Sequence, residues 1–326
     1  VTDAKFCKNR LMHVTDVYFH ESCPDGTAAA LICAAAFQSI GMRPRFYPLQ
    51  YNTDLMRKLE PRTGQLFVDI TPPKERWEEW KQVQPIVLDH HETVEVVTKG
   101  LDGVYETNDA HSGAKIAYEQ VFQVLVPEGD DPILRDWRGL SELAMIRDTW
   151  KKTHSAWRDA CALAMALLFE GSRGLVDKAQ EKGIQALDLT HLLTLGTKLV
   201  ESNDRRVKKL AESAYRETYN FDREYKAAYF NCTEKIVSDV ANFMIDNGCN
   251  IAVGYFYLFE DGATRCQVSL RTDGTLSARK IAERFPGGGG HERAAGFRLP
   301  EGDQTSPYKL YSVVSETIVE MLTSQA

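Results

Sequence analysis

Three short apolar runs near the start of the chain constrain its fold most. "VTDVYF" (14–19), "QLFVDI" (65–70) and "PIVLD" (85–89) are rich in β-branched and aromatic residues. They lead into polar side chains: His20 after the first, Asp69 within the second, and Asp89, His90 and His91 at the end of the third. "RFYPL" (45–49) reads as a further strand, while "GTAAALICAAAF" (26–37) and "KERWEEWKQV" (74–83) read as helices. This alternation predicts βαβ units and a mostly parallel sheet flanked by helices. Ligands of such sheets sit at the carboxyl ends of the strands. Polar residues from three strands at that one edge have no ready explanation in packing.

The pattern then changes. "HSGAKIAYEQVFQVL" (111–125), "RGLSELAMIRDTW" (138–150) and "RDACALAMALLFE" (158–170) are helical, and a charged stretch over 201–226 reads as a solvated connector helix. Strand-like runs at 226–231, 249–260 and 263–271 follow, with helical segments at 234–247 and 276–285. The expected fold class is α/β: a first domain over 1–200, the connector over 201–226, and a smaller α+β domain over 227–326. A chain of 326 residues suits two domains.

Acidic residues number 46 against 39 Lys and Arg, a net charge of −7. Long duplex nucleic acid needs broad basic surfaces and is not an expected partner. Base is concentrated locally: Arg265, Arg271, Arg279, Lys280, Arg284, Arg293 and Arg298 lie in one stretch with only Asp273, Glu283 and Glu292 opposing them. A solvated face is the plain alternative. No apolar run reaches the roughly 18 residues of a membrane span. The N-terminal residues lack the pattern of a signal peptide. Seven scattered cysteines without a CxxC pair imply reduced thiols. A cytoplasmic location is expected, or an organelle reached through a targeting segment since removed.

Candidate chemistry gathers at a few places. Two adjacent histidines after a strand cannot both face one core, so His90 or His91 points into the edge crevice, and imidazole and carboxylate suit Mn, Zn or Fe. A surface pair is the alternative. Asp69 in "LFVDITPP" is either a metal-bridging acid or a helix cap, a task Thr71 would serve equally well. Asp148 ends a helical segment, where the helix dipole disfavours an acid unless a metal or Arg147 offsets it. "FPGGGGHERAAGF" (285–297) lets backbone N–H groups approach an anion, with His291 and Arg293 close behind. Ser269 and Arg271 in "VSLRT" are further candidates.

Taken in order, "HESCPDGTAAA", "LFVDITPP", "VLDHH", "IRDTW" and "SLRT…GGGGHERAAG" resemble the DHH phosphoesterase superfamily, and within it the proteins with a glycine-rich DHH-associated C-terminal domain. That group includes RecJ-like exonucleases and small oligoribonucleases (nanoRNases). The motifs run from His20 to Gly296, and residues 150–230 carry none. The resemblance implies a two-domain enzyme with a cleft between the domains and two divalent ions, manganese first and Mg2+ or Co2+ next. Asp69 would bridge both ions, with His20 and Asp25 on one side and His90 and Asp148 on the other. Asp89 would orient His90, and His91 would face the substrate phosphate. Gly288, Gly289, Gly290, His291, Arg293, Ser269 and Arg271 would grip the substrate. His111 is placed either to touch it or simply before a helix capped by Ser112.

The chain departs from the family at the opening motif, where Ser22 and Thr27 stand in place of a second acid. Glu21 or Cys23 is then the substitute to hand, a thiolate favouring a softer metal. The activity expected is phosphodiester hydrolysis of short oligonucleotides to mononucleotides. The alternatives are a small-nucleotide phosphomonoesterase or pyrophosphatase/polyphosphatase, and a nucleotide-binding protein with a degenerate metal site. The expected partner is a short oligonucleotide or small nucleotide, with no membrane; homodimerisation is left open. Phe285 and Phe297 flank the glycine run as base-stacking platforms or as core.

Overall fold

The computed structural model describes residues 8–325 except 52, 92–100, 106–109, 127–128, 130, 261–262 and 300–306; Cys7 thus lies outside the described residues. The chain divides into two compact units, Val1–Glu201 and Ser202–Ala326.

The first unit is built on a five-stranded sheet, β1 (Asp16–His20), β2 (Arg45–Leu49), β3 (Gln65–Val68), β4 (Ile86–Asp89) and β5 (Asp102–Tyr105). The order is β2-β1-β3-β4-β5, and every pairing is parallel. Pro48 sits in β2, an edge strand, where a missing N–H is tolerated. Its principal helices are α1 (Pro24–Ser39), α2 (Trp77–Val83), α3 (Gly113–Ala117), α4 (Pro132–Asp148), α5 (Trp157–Glu170) and α6 (Ser172–Lys182).

The period-2 alternation of side chains along the strands divides the core in two. Val17, Phe19, Leu66, Val68, Ile86 and Leu88 face one side, and Tyr18, Phe67 and Val87 face the other with Trp80 of α2. Helix α1 lies in the larger of these cores. A helix that is apolar on every side is stable only inside a core. Helix α1 is buried from Asp25 to Phe37, and its alanines let its neighbours pack closely around it. The strand order reverses between β1 and β3, so the carboxyl ends of these two strands open the crevice typical of ligand sites in open α/β sheets.

The second unit carries a six-stranded mixed sheet of order β10-β11-β9-β8-β7-β6. Its strands are β6 (Tyr215–Asn220), β7 (Glu224–Asn231), β8 (Ile251–Glu260), β9 (Ala263–Thr272), β10 (Gly289–His291) and β11 (Ala294–Arg298). Helix α7 (Leu189–Glu212) leads into it. Only β7 and β8 pair in parallel, joined by the crossover helix α8 (Glu234–Asp246). Helices α9 (Ala278–Ala282) and α10 (Pro307–Gln325) supply core residues to the opposite face.

Two expectations are corrected. The helix read over 201–226 ends at Glu212, and 215–220 is strand β6, paired in a hairpin with β7. Tyr215, Thr218 and Tyr219 favour a pleated surface, and most of the strand is exposed, which imitates a solvated helix in composition alone. Phe285 and Phe297 are core: their rings stack on each other with centroids 3.8 Å apart, and both are buried, so neither serves as a base platform. Among the described residues no helix is long and apolar enough to cross a membrane.

Candidate metal centre

His20 closes β1, and the chain then turns through Ser22, whose φ of 56° is left-handed, into α1. Pro24 opens that helix and Asp25 lies in its first turn, 2% exposed. Ser112 Oγ donates to Asp25 Oδ1 at 2.7 Å, and the Ala114 N–H donates to the same carboxylate at 3.2 Å. Ser112 also caps its own helix, α3, by accepting from the Lys115 N–H. Two helix N-termini thus meet on one acid, a favourable place for negative charge.

The ring of His20 is oriented from outside the crevice. Its Nε2 lies 3.0 Å from Gln50 Oε1, an oxygen that also accepts from the Tyr51 N–H at 3.1 Å. That oxygen needs a donor, so Nε2 carries the proton and Nδ1 is directed inward, 3.6 Å from Asp69 Oδ2. Burial opposes charge on this imidazole, but Asp69 outweighs it and raises the His20 pKa.

Asp69 stands one residue beyond β3 with a φ of 58°. Left-handed backbone is uncommon outside glycine, asparagine and aspartate and gathers at functional sites. Its N–H still extends the sheet ladder to Leu88 O at 2.9 Å, while its side chain is 1% exposed. His90 Nε2 approaches Asp69 Oδ1 at 3.4 Å and Asp148 Oδ2 at 3.2 Å. Burial pushes the Asp69 carboxyl up, but the histidines prevail and hold it well below the ordinary carboxylate range. Burial likewise opposes charge on His90, yet Asp69, Asp25 and Asp148 push its pKa up to about 9. Burial first, and then Asp69, raises both Asp25 and Asp148. Asp148 also ends helix α4, where the dipole adds to the penalty. Arg147 offsets this only in small part, by its charge: its guanidinium lies over the Trp150 ring, 4.3 Å from the centroid.

Asp89 is fully buried at the end of β4. Its Oδ1 accepts from the backbone N–H of His90 (2.7 Å), the N–H of His91 (3.2 Å) and His91 Nδ1 (2.7 Å). The bond to a ring goes to His91, while His90 is reached through its backbone. One carboxylate oxygen thereby fixes the turn and the His91 tautomer, and the same bond raises the His91 pKa despite burial. Asp89→Asn is expected to weaken metal binding or turnover by about 10–100-fold, as losses of such supporting acids commonly do. Equilibrium dialysis against Mn2+ and a rate measurement check it.

The donors converge as a cation site requires. His20, Cys23 and Asp69 form one group, Asp25, His90 and Asp148 a second, and Asp69, Asp89, His90 and His91 a third, the donor atoms of each lying within 4.8 Å of one another. Asp69 belongs to two groups, the place a bridging acid would take between two ions. The family pattern paired Asp25 with His20; the donor atoms bring it together with His90 and Asp148. Both Asp69 oxygens, His20 Nδ1 and His90 Nε2 are buried without a hydrogen-bond partner. Such groups are costly unless something satisfies them, and a divalent cation would satisfy all four. These residues therefore fit the implied ions. Because a ligating imidazole must be neutral, apparent metal affinity is expected to rise at least roughly tenfold per pH unit below the His90 value of about 9 and to level off near it. Metal titrations across that range test the sign and the plateau.

Some contributors escaped sequence reading. Gln50 follows β2 with no motif to mark it. Gly26 and Gly113 are required by close approach: a Cβ on Gly26 would lie 2.5 Å from His20 O, and one on Gly113 would lie 2.5 Å from Asp69 Cβ. The neighbouring helix starts were legible, but not what they touch. His111 lies just before the Ser112 cap, with Nε2 3.6 Å from Glu119 Oε2.

The remaining candidates lie in the second unit. Ser269 and Arg271 alternate on β9, opposite Gly296 and Ala294 of β11. Gly289 and His291 of β10 pair with the same two residues, so one sheet face carries all six. Arg271 donates to Ser269 Oγ (3.2 Å), Leu270 O (2.8 Å) and Ser238 Oγ (2.8 Å), which fixes the guanidinium. The glycine run, read as a loop, is an edge strand from Gly289 onward, with Gly287 (φ 69°) and Gly290 (φ 141°) in backbone that suits glycine. Gly288 backs onto Ala282 of α9. Arg293 occupies the turn between β10 and β11, its guanidinium close to Gly274.

Comparison with known proteins agrees with this architecture. Residues 222–318 match the DHHA1 domain. The fold resembles that of a pGpG-specific phosphodiesterase from Vibrio cholerae, at 14% identity and a TM-score of 0.56, covering 95% of this chain and 99% of that one. It also resembles exonuclease RecJ bound to manganese, at 16% identity and a TM-score of 0.59, covering 95% and 92%. A third likeness is to the DHH domain of a protein assigned to a ribosomal-protein family, at 13% identity and a TM-score of 0.60, covering 97% and 88%. No curated protein matches the sequence.

Proposed function

We propose that this chain, a DHH-superfamily protein by its DHHA1 domain and its fold, is a divalent-metal-dependent phosphoesterase that hydrolyses short oligonucleotides to mononucleotides. The observation that carries the reading is the buried, unsatisfied Asp69 carboxylate between His20 and His90 at the sheet's switch point. His20, Asp25, Asp69, His90 and Asp148 would hold two ions, with Mn2+ the first choice. When bound, such ions supply Lewis-acid activation of water and of the phosphoryl oxygens.

The chain's own groups do the rest. Asp69 orients donors on both sides of itself. Asp89 keeps the proton on His91 Nδ1 and favours the charged ring, which suits a donor to a phosphate oxygen. In the second unit, Arg271, Ser269 and His291 would bind substrate phosphate, with Gly288, Gly289 and Gly290 allowing backbone approach. Arg293 would add a further contact there, and His111, in the first unit, is a separate candidate contact. Three of the five guanidinium N–H groups of Arg271 are engaged in holding it, which leaves two for an anion. Arg271→Ala is expected to raise KM about 10–100-fold, the loss of a charged hydrogen bond, with metal affinity unchanged.

The net charge of −7 and the compact basic stretch favour a few phosphates over a long polyanion. The decisive experiment incubates the Mn2+-loaded protein with 5′-labelled RNA dimers to pentamers. Release of mononucleotides supports the reading; intact substrate with metal bound removes it. A second reading, hydrolysis of a small nucleotide monoester or pyrophosphate, draws support from the burial of Phe285 and Phe297, which leaves the glycine strand without its expected stacking platform. Phosphate release from a panel of small nucleotides separates the two.

A further inference from the structure

Cys23 occupies the N-cap position of α1 yet makes no side-chain capping bond. Serine, threonine, aspartate and asparagine are the usual residues there because their oxygens accept from the first free N–H groups. The Gly26 N–H does face this thiol, but sulfur is a weak acceptor, which leaves Cys23 open to another use. Its Sγ lies with a ring nitrogen of His20 and a carboxylate oxygen of Asp69, all three within 4.8 Å of one another. An independent observation points to a ligand at that place. Asp69 Oδ2 and His20 Nδ1 are buried there without a hydrogen-bond partner, and Asp69 is 1% exposed. The other substitutes for a missing acid are set apart: Glu21 and Ser22 are exposed, and Thr27 is buried within the helix, its N–H bonded to Cys23 O.

Resting on the metal-centre reading above, we propose that Cys23 is a metal ligand, completing one ion subsite with His20 and Asp69, and that this subsite prefers zinc or another thiophilic divalent ion to Mg2+. A thiolate supplies the negative charge that a second carboxylate would otherwise bring, and its softness shifts selectivity away from hard ions. On binding, the S–H bond breaks, its proton passes to solvent, and the sulfur's electron pair forms the bond to the ion.

The test uses the full chain loaded with Zn2+ or Co2+, alongside Cys23→Ser and Cys23→Asp. Zinc X-ray absorption of the unmodified protein is expected to show a sulfur neighbour at about 2.3 Å besides nitrogen and oxygen at about 2.0–2.1 Å. The Co2+ form is expected to show a near-ultraviolet thiolate charge-transfer band. Cys23→Ser should lose both signals, which excludes the other cysteines as their source. Cys23→Asp should retain an ion and shift the Zn2+/Mg2+ affinity ratio at least about tenfold toward Mg2+. Bound ion with only nitrogen and oxygen neighbours, or signals that persist in both variants, would overturn the role of Cys23 and leave the metal centre standing. Failure of the unmodified protein to bind any divalent ion would overturn both.

Discussion

Asp69→Asn is expected to reduce phosphoester hydrolysis by at least about 10³-fold, the equivalent of several kcal/mol of lost metal-assisted stabilisation. It is also expected to lower bound metal below two ions per chain. Asparagine keeps the size of the side chain and tolerates the left-handed backbone at this position, so the change removes charge and leaves shape. Alanine tolerates that backbone less well, and Asp69→Ala should add about 1 kcal/mol of destabilisation to the same catalytic loss. Metal analysis, turnover and thermal unfolding of the two variants separate the contributions. A variant lacking the carboxylate that retains full turnover and two ions would remove Asp69 from the centre.

Gly113→Ala carries the second large effect. Local propensity favours alanine in a helix over glycine by about 1 kcal/mol, and Gly113 has no left-handed backbone to protect. The surroundings reverse the sign. The added Cβ would lie 2.5 Å from Asp69 Cβ, 2.9 Å from Asp69 Cγ and 2.9 Å from Asp25 Oδ2, none of them the end of a long flexible side chain. Overpacking of this kind costs about 1–3 kcal/mol, and here the displaced groups are the site's own acids. The expected result is a melting temperature lower by roughly 2–10 °C together with weakened metal binding. Gly174→Ala is the control: Gly174 lies in helix α6, and beyond its chain neighbours and its own helix backbone nothing lies within 4 Å of its added Cβ, so the change should be neutral or mildly stabilising. A Gly113 variant that behaves like the Gly174 variant would mean that the acids can shift without loss.

Local sequence was enough to place β1 to β4 and β7 to β9, most helices and the chemical character of the edge where His20, Asp69, Asp89 and His90 end up. Those features are written in periodicity and in the residue that closes each strand, and both are short-range information. Which ends become neighbours came from packing. The order β2-β1-β3-β4-β5 puts β1 beside β3, so that His20 and Asp69, far apart in the chain, face each other. Packing also placed Gln50 behind His20, joined Asp25 with His90 and Asp148, and brought the first turn of α3 against Asp69. At 215–220 a polar composition pointed to a solvated helix, and pairing with β7 made it a strand. A donor set depends on distances through space between residues distant in sequence. Strand pairing and the packing of glycine-lined helix starts determine those distances, and neither is encoded at any single motif.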